Sequence, residues 1–303
     1  MHIQDIFAQT PTTFSFEFFP PKGDEAWEKL YGAIGRLEPL KPAFVSVTYG
    51  AGGTTREQTH DLVVRLQKGG SLTPVPHLTC VGHSEDEIQA ILTRYAEAGV
   101  ANILALGGDP PRDQPDYDRD KDAFRHAADL VRFIRKFNES GAHPDPRGFG
   151  IGVAGFPEGH PSTPNRLIEM DHLKAKMSEG ADYICTQLFF DNHNFYDFQE
   201  RCRLAGIETP VIAGIMPITS LKGMKRMAEL AAGTCFPAKL LRALSRCQDD
   251  EAVKRVGTHY ATEQCLDLLE NGVRGIHLYT LNLSGATRAI YANLGLKDSE
   301  GIR

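Results

Sequence analysis

Glu17 is the residue whose setting most invites chemistry. It lies in the middle of Thr13-Phe14-Ser15-Phe16-Glu17-Phe18-Phe19, a run with the length and aromatic content of a strand buried on both sides, stopped by Pro20-Pro21. A buried carboxylate that stays charged and unpaired costs several kcal/mol, so it either keeps its proton near neutral pH or finds a cation. Glu17 is therefore a candidate general acid, or else a structural carboxylate paired with an Arg or Lys. A second carboxylate, Asp109, follows an apolar run in Gly107-Gly108-Asp109-Pro110-Pro111, where it also reads as a turn residue. A two-carboxylate glycosidase would need these two flanking a sugar, and their separation is not written in the sequence.

Other chemistries find less support. Tyr49-Gly50-Ala51-Gly52-Gly53 lacks the spacing of a dinucleotide-binding fingerprint and reads as a glycine-rich turn into a helix. Neither a phosphate-loop lysine, a serine elbow nor a Cys/His nucleophile signature occurs. Cys80 and His83 have ligand-like spacing but no second pair, so no metal site is expected. Six cysteines without a C-x-x-C pair fit reduced thiols in a cytoplasmic protein. A net charge of -6 without a clustered basic footprint argues against a nucleic-acid surface. No apolar run approaches the roughly 20 residues of a membrane span.

The elements that must position these residues alternate regularly. Apolar strand-like runs at 13–19, 43–49, 75–81, 101–106, 148–154, 182–188, 210–215 and 275–279 are separated by amphipathic helical stretches. Among these, residues 24–37 carry Trp27, Leu30, Ile34 and Leu37 on one face, and capping boxes are expected at Thr54 with Glu57 and at Ser84 with Glu87. Buried stripes are expected at Phe124, Leu130, Val131 and Ile134, at Leu167, Met170, Leu173 and Met177, and at Val253, Val256, Tyr260 and Leu269. Helical segments near 220–231, 237–246 and 251–270 precede the last strand, and 286–294 closes the chain. Eight such units predict a parallel sheet in an α/β fold: a (β/α)8 TIM barrel with extra helices before the last strand, or, as the weaker alternative, an open doubly wound sheet. Residues 1–303 are expected to form a single catalytic barrel domain.

A barrel of this kind collects its chemistry at the carboxyl ends of its strands. There stand Glu17, Thr48 with Tyr49, His77 with Thr79, Asp109, Phe156 with Glu158 and His160, Gln187 with Phe190 and Asp191, Met216, and His277 with Tyr279. Aromatic rings beside a few hydrogen-bonding groups suit a flat heteroaromatic ligand such as a flavin, pterin or nicotinamide.

Seven motifs then follow in order: Phe16-Glu17-Phe18-Phe19-Pro20-Pro21, Phe44-Val45-Ser46-Val47-Thr48-Tyr49-Gly50-Ala51, Pro76-His77-Leu78-Thr79-Cys80, Gly108-Asp109-Pro110-Pro111, Pro157-Glu158-Gly159-His160-Pro161, Thr186-Gln187-Leu188-Phe189-Phe190-Asp191 and Leu278-Tyr279-Thr280-Leu281-Asn282. From about residue 13 to 294 the chain resembles the bacterial, single-domain 5,10-methylenetetrahydrofolate reductases. The resemblance implies FAD as cofactor, NADH or NADPH as co-substrate and methylenetetrahydrofolate as substrate, with hydride passed by ping-pong exchange through the flavin. It makes Glu17 the acid that protonates N10 of the folate and Asp109 a catalytic carboxylate beside flavin and pterin. It places Thr48, Tyr49, His77, Gly108, Asp109, Ala154, Phe156, His160, Glu169, His172 and Lys176 at the cofactor, with His160 and Lys176 toward its pyrophosphate. It places Glu17, Gln187, Phe190, Leu221 and Tyr279 at the folate.

Departures from the family pattern are Gly107, where an Arg is frequent, Leu283, where an Arg or Lys is usual, and Leu221, where an aromatic is frequent. They keep open a non-catalytic flavin- or folate-binding protein, and the same reaction run in the oxidative direction is a further alternative. A cytoplasmic homo-oligomer without the C-terminal regulatory domain of eukaryotic relatives is expected, binding neither nucleic acid nor membrane.

Overall fold

A computed structural model describes residues 1–50, 55–111, 114, 116–231 and 233–302, the side chains of residues 226, 229 and 230 excepted. Eight parallel strands close into a barrel in chain order: β1 (Thr13–Phe18), β2 (Phe44–Val47), β3 (Pro74–Thr79), β4 (Asn102–Leu106), β5 (Gly150–Gly155), β6 (Tyr183–Thr186), β7 (Val211–Ile215) and β8 (Gly275–Tyr279). The open-sheet alternative is thereby set aside. Closure pairs β1 with β8, Ser15 opposite His277 and Glu17 opposite Tyr279.

Around the barrel run α2 (Asp24–Leu37), α3 (Arg56–Gly69), α4 (Glu85–Glu97), α5 (Ala127–Glu139), α6 (Arg166–Ser178) and α7 (Asn192–Leu204). Then α8 (Leu221–Leu230), α9 (Ala238–Leu244) and α10 (Asp250–Glu270) intervene before β8, and α11 (Gly285–Asn293) follows it. A short helix α1 (Ile3–Gln9), not foreseen, precedes β1.

Alternation along each strand sorts the side chains into two layers. Phe14, Phe16 and Phe18 of β1 pack outward into the helix layer, the first two against Tyr291 of α11 at ring separations of 5.0 and 6.0 Å. Within the barrel, Phe44, Val75, Leu104, Tyr183, Cys185 and Ile212 form a floor that Ile3 and Ile6 of α1 seal from below. The Asn102 carboxamide anchors α1, its Oδ1 accepting from the Ile3 N–H (2.7 Å) and its Nδ2 donating to Met1 O (2.9 Å).

Above this floor sits a polar layer. His277 has Ser15 Oγ 2.7 Å from Nδ1 and Ser46 Oγ 3.1 Å from Nε2, so both ring nitrogens are engaged. Burial, then the neighbouring His77, depresses its pKa to about 3, and the ring stays neutral.

Several local expectations needed correction. Thr54 lies outside the described residues; α3 starts after Thr55, which makes no side-chain cap, and Glu57 pairs with Arg94 instead (3.0 Å). The Ser84–Glu87 capping box is present. Phe124 is buried but precedes α5. Leu167 is 77% exposed, because α6 turns Glu169 and Leu173 inward. In α10 the buried face carries Val253, Ala261, Cys265 and Leu268, leaving Val256, Tyr260 and Leu269 half-buried.

Since Ile3 is fully buried under the barrel floor, Ile3→Ala should lower unfolding free energy by about 2–5 kcal/mol. A urea titration checks this; an unchanged midpoint would mean that α1 only rests on the barrel.

Candidate active site

Glu17 stands one residue before the end of β1, and its side chain turns into the barrel mouth. Its Oε2 lies 3.5 Å from His77 Nε2 of β3, with 18% and 11% of the two side chains reachable from the mouth. The pair is not an ion pair at neutral pH. Burial raises Glu17 to about 8 and lowers His77 to about 4, so between these values both groups are neutral. No Arg or Lys reaches Glu17 among the described residues, which leaves the structural reading without its cation. The backbone here is held from β8, where Thr280 Oγ1 donates to Glu17 O (2.6 Å). Asn282 grips the next loop, accepting from the Phe19 N–H (3.0 Å) and donating to Phe19 O (2.8 Å). To do so, Leu281 and Asn282 adopt left-handed φ values of 50° and 59°, backbone that such residues seldom take up.

Around the rim from Glu17, Tyr279 of β8 donates its hydroxyl to Thr186 O (2.7 Å) across β7. Gly214 allows this crossing, because a Cβ there would lie 2.8 Å from Tyr279 Cε2. Gln187 follows β6, but its Oε1 accepts the Leu188 N–H (2.9 Å), so in this conformation only the amide donor is free for a ligand.

The β4–β6 side is cationic. Lys176 of α6 donates to Ala154 O (2.6 Å), and burial lowers it to about 8. His160 packs edge-on against Phe156 at 4.6 Å, its Nδ1 held by Ser162. Its pKa falls through burial; among neighbouring charges Asp109 opposes this, while Lys176, His172 and Arg119 add to it. His172 lies 5.3 Å from His126, ring to ring. Glu169 is buried, its pKa raised chiefly by burial.

Gly108 takes a left-handed φ of 79° and presents Asp109, which is exposed. A Cβ on Gly108 would fall 2.6 Å from Val81 Cγ1, so only glycine makes this turn.

Three buried atoms at this mouth have no hydrogen-bond partner: His77 Nε2, Thr79 Oγ1 and Glu169 Oε2. Buried polar atoms are rarely left so, and three around one opening, beside a Lys ammonium with a single carbonyl partner, form a donor and acceptor set that fits a polar heteroaromatic group carrying phosphate.

The mouth does not gather every expected residue. Tyr49 leaves β2 on the opposite side from Thr48: its hydroxyl is held by His83 (3.0 Å) and Arg56 (3.1 Å) in the helix layer. Phe190 is buried in a satellite core, stacked on Phe236 at 4.7 Å. Leu221 opens α8 and is 39% exposed. Cys80 and His83, with their ligand-like spacing, face different partners, Gly107 O and the Arg56–Tyr49 pair. Conversely, Arg119 and His126, on the long β4–α5 connection, were not foreseen; basic residues in a polar loop gave no pattern to find them by.

The family model for methylenetetrahydrofolate reductase matches residues 2–295. The Escherichia coli 5,10-methylenetetrahydrofolate reductase is 35% identical over 286 residues, covering 93% of this chain and 90% of that protein. The chain belongs to the methylenetetrahydrofolate reductase family. Arabidopsis thaliana methylenetetrahydrofolate reductase (NADH) 1 is 40% identical over 99% of this chain; the chain spans about half the length of this and the other eukaryotic family members it matches (51% here). Among solved structures, a Clostridium thermocellum protein described as binding two copies of 5-methyl-5,6,7,8-tetrahydrofolic acid shares the fold (TM-score 0.66, 14% identity, covering 97% of this chain and 99% of that one). In this methylenetetrahydrofolate reductase family member, Glu17, His77, Asp109 and Gln187 stand at or just after strand ends.

The raised pKa of Glu17 has a stability consequence. The folded state holds the proton between the ordinary glutamate value of 4.5 and about 8, so stability falls as pH rises through that window. Relative to the wild type, Glu17→Gln should therefore gain melting temperature steadily from pH 4.5 to 8 and no further above it. A pH-independent difference between the two proteins would contradict a buried neutral acid.

Proposed function

We propose that this protein reduces 5,10-methylenetetrahydrofolate to 5-methyltetrahydrofolate, with NADH or NADPH as the electron source and FAD as resident cofactor. The observation that carries the reading is Glu17: a carboxyl held neutral by burial, reachable from the mouth, with no cation beside it among the described residues. Family membership and the orphaned polar atoms of the rim support it. FAD, when bound, takes hydride from the nicotinamide and passes it to the folate.

The chain's own groups would do the rest. Glu17 gives its proton to N10 of the folate, so the bond between N10 and the bridging methylene breaks and a cationic iminium forms at N5. That transfer needs an acid with a pKa near the working pH. The Asp109 carboxylate stabilises the positive charge so created. His77, neutral at pH 7, and Thr79 offer their unpartnered atoms to the flavin ring, with Thr48 beside them. Lys176, His160 and His172 meet its phosphates, as cationic or N–H donors, and Glu169 accepts from a sugar hydroxyl. Gln187 offers its amide to the pterin edge, and Tyr279 shapes the wall on that side. The plant relative's name carries NADH, which makes NADH the first co-substrate to try.

The purified protein should bind FAD and turn yellow, be bleached by NADH or NADPH without oxygen, and recover its colour on adding methylenetetrahydrofolate. A protein that binds no FAD, or is not re-coloured by the folate, would refute the reading. In Glu17→Gln, flavin bleaching should persist while re-colouring slows by roughly 10²–10⁴-fold, the usual worth of a positioned acid. In the wild type, re-colouring should fall about tenfold per pH unit above about 8. Stopped-flow absorbance separates the two half-reactions, and equal loss in both would make Glu17 structural.

A further inference from the structure

We infer that Arg119 is a positioning residue for Asp109, acting from behind the β4 exit; the inference rests on the flavin reading above. Arg119 lies in a short 3-10 turn of the β4–α5 connection and folds back against the end of β4. Its Nη2 donates to Gly107 O (2.8 Å), its Nη1 to Gly108 O (2.7 Å) and its Nε to Arg125 O (3.0 Å). A Cβ on Gly107 would lie 3.0 Å from Arg119 Nη2, so the guanidinium fills the space that a side chain at 107 would claim. Ala105 packs into the outer helix layer and Leu106 against the barrel floor; by alternation residue 107 faces outward. The guanidinium therefore sits behind the mouth rather than in it, touching Cys80 Sγ of the outer layer at 3.8 Å.

What it holds decides where Asp109 points. Gly107 O also accepts from the Val81 N–H (3.2 Å), whereas Arg119 is the partner recorded for Gly108 O among the described residues. The Gly108 carbonyl belongs to the peptide plane that leads into Asp109, and that plane follows a glycine at φ 79°, free to rotate once the carbonyl is released. A planar fork spans two successive carbonyls in fixed geometry, which a lysine ammonium does not reproduce. Arg119 thus turns a flexible Gly-Gly exit into a rigid mount for a carboxylate.

The flavin midpoint potential tests this by its sign. A carboxylate beside the flavin disfavours the added electrons, so Asp109→Asn should raise the potential. If Arg119 acts by aiming Asp109, Arg119→Gln should raise it as well, by about 30 mV for a tenfold change in the two-electron equilibrium. Loss of a cation acting directly on the flavin would lower it. In the double variant the second change should add nothing to Asp109→Asn, since residues acting through one another are non-additive. Arg119→Lys should give a partial shift of the same sign, and it carries the test if Arg119→Gln does not fold. An unchanged or lowered potential in the Arg119 variants, with Asp109→Asn raised, overturns this inference alone. A wild type that binds no FAD, or an unshifted Asp109→Asn, overturns the flavin reading with it.

Discussion

Withholding water and cations from one carboxyl group is the constraint on which the site turns. A carboxyl at the end of a barrel strand can be wet, paired or protonated; only 18% of the Glu17 side chain is reachable from the mouth and no cation among the described residues pairs with it, which favours the protonated state. Its neighbour His77 is kept neutral by the same burial, so it supplies no charge to pull the proton off. Below them His277 is neutral too, with both nitrogens occupied by serine hydroxyls. A protonated imidazole in either place would favour the carboxylate, so the polar layer under the mouth is part of what keeps Glu17 an acid.

The same mouth is electrostatically divided. Glu17 and Tyr279 lie on the β1–β8 side, with neutral donors and aromatic rings around them. Lys176, His160 and His172 gather on the β4–β6 side, with Asp109 at the turn between β4 and α5. Such a division suits a ligand with a flat ring at one end and phosphate at the other. Two local devices hold the rim still: Asn282 clamps the Phe19 backbone from a left-handed pair of residues, and the Arg119 fork braces the β4 exit. Both are paid for in backbone strain or loop ordering, and both immobilise backbone within two residues of a candidate catalytic carboxylate.

Much of this was legible in the residues. Apolar runs broken by glycine and amphipathic helices pointed to a parallel sheet, with a closed barrel ahead of an open one, and α2 and β8 begin and end where their patterns do. Glu17 was legible because a carboxylate among four phenylalanines has few stable fates. The misses have physical reasons. In α1 the apolar Ile3, Ile6 and Phe7 follow helical spacing, but seven residues make too few turns to stand out from an irregular terminus. Leu167 sits in the first turn of α6, where proximity to the mouth leaves it uncovered while Glu169 turns in. Tyr49 follows Thr48 directly, and the two-residue period of a strand already sent them to opposite faces. Arg119 was hidden because its contact with Gly107 and Gly108 depends on a loop folding back over eleven residues, which no local pattern encodes.

The central claim is that Glu17 carries a proton at neutral pH, and infrared difference spectroscopy of the wild type against Glu17→Gln reads that proton directly. A carboxylic acid C=O stretch present at pH 7 and lost with a midpoint near 8 is the predicted result. A carboxylate band already formed at pH 7, with a midpoint near the ordinary glutamate value of about 4.3, would contradict it.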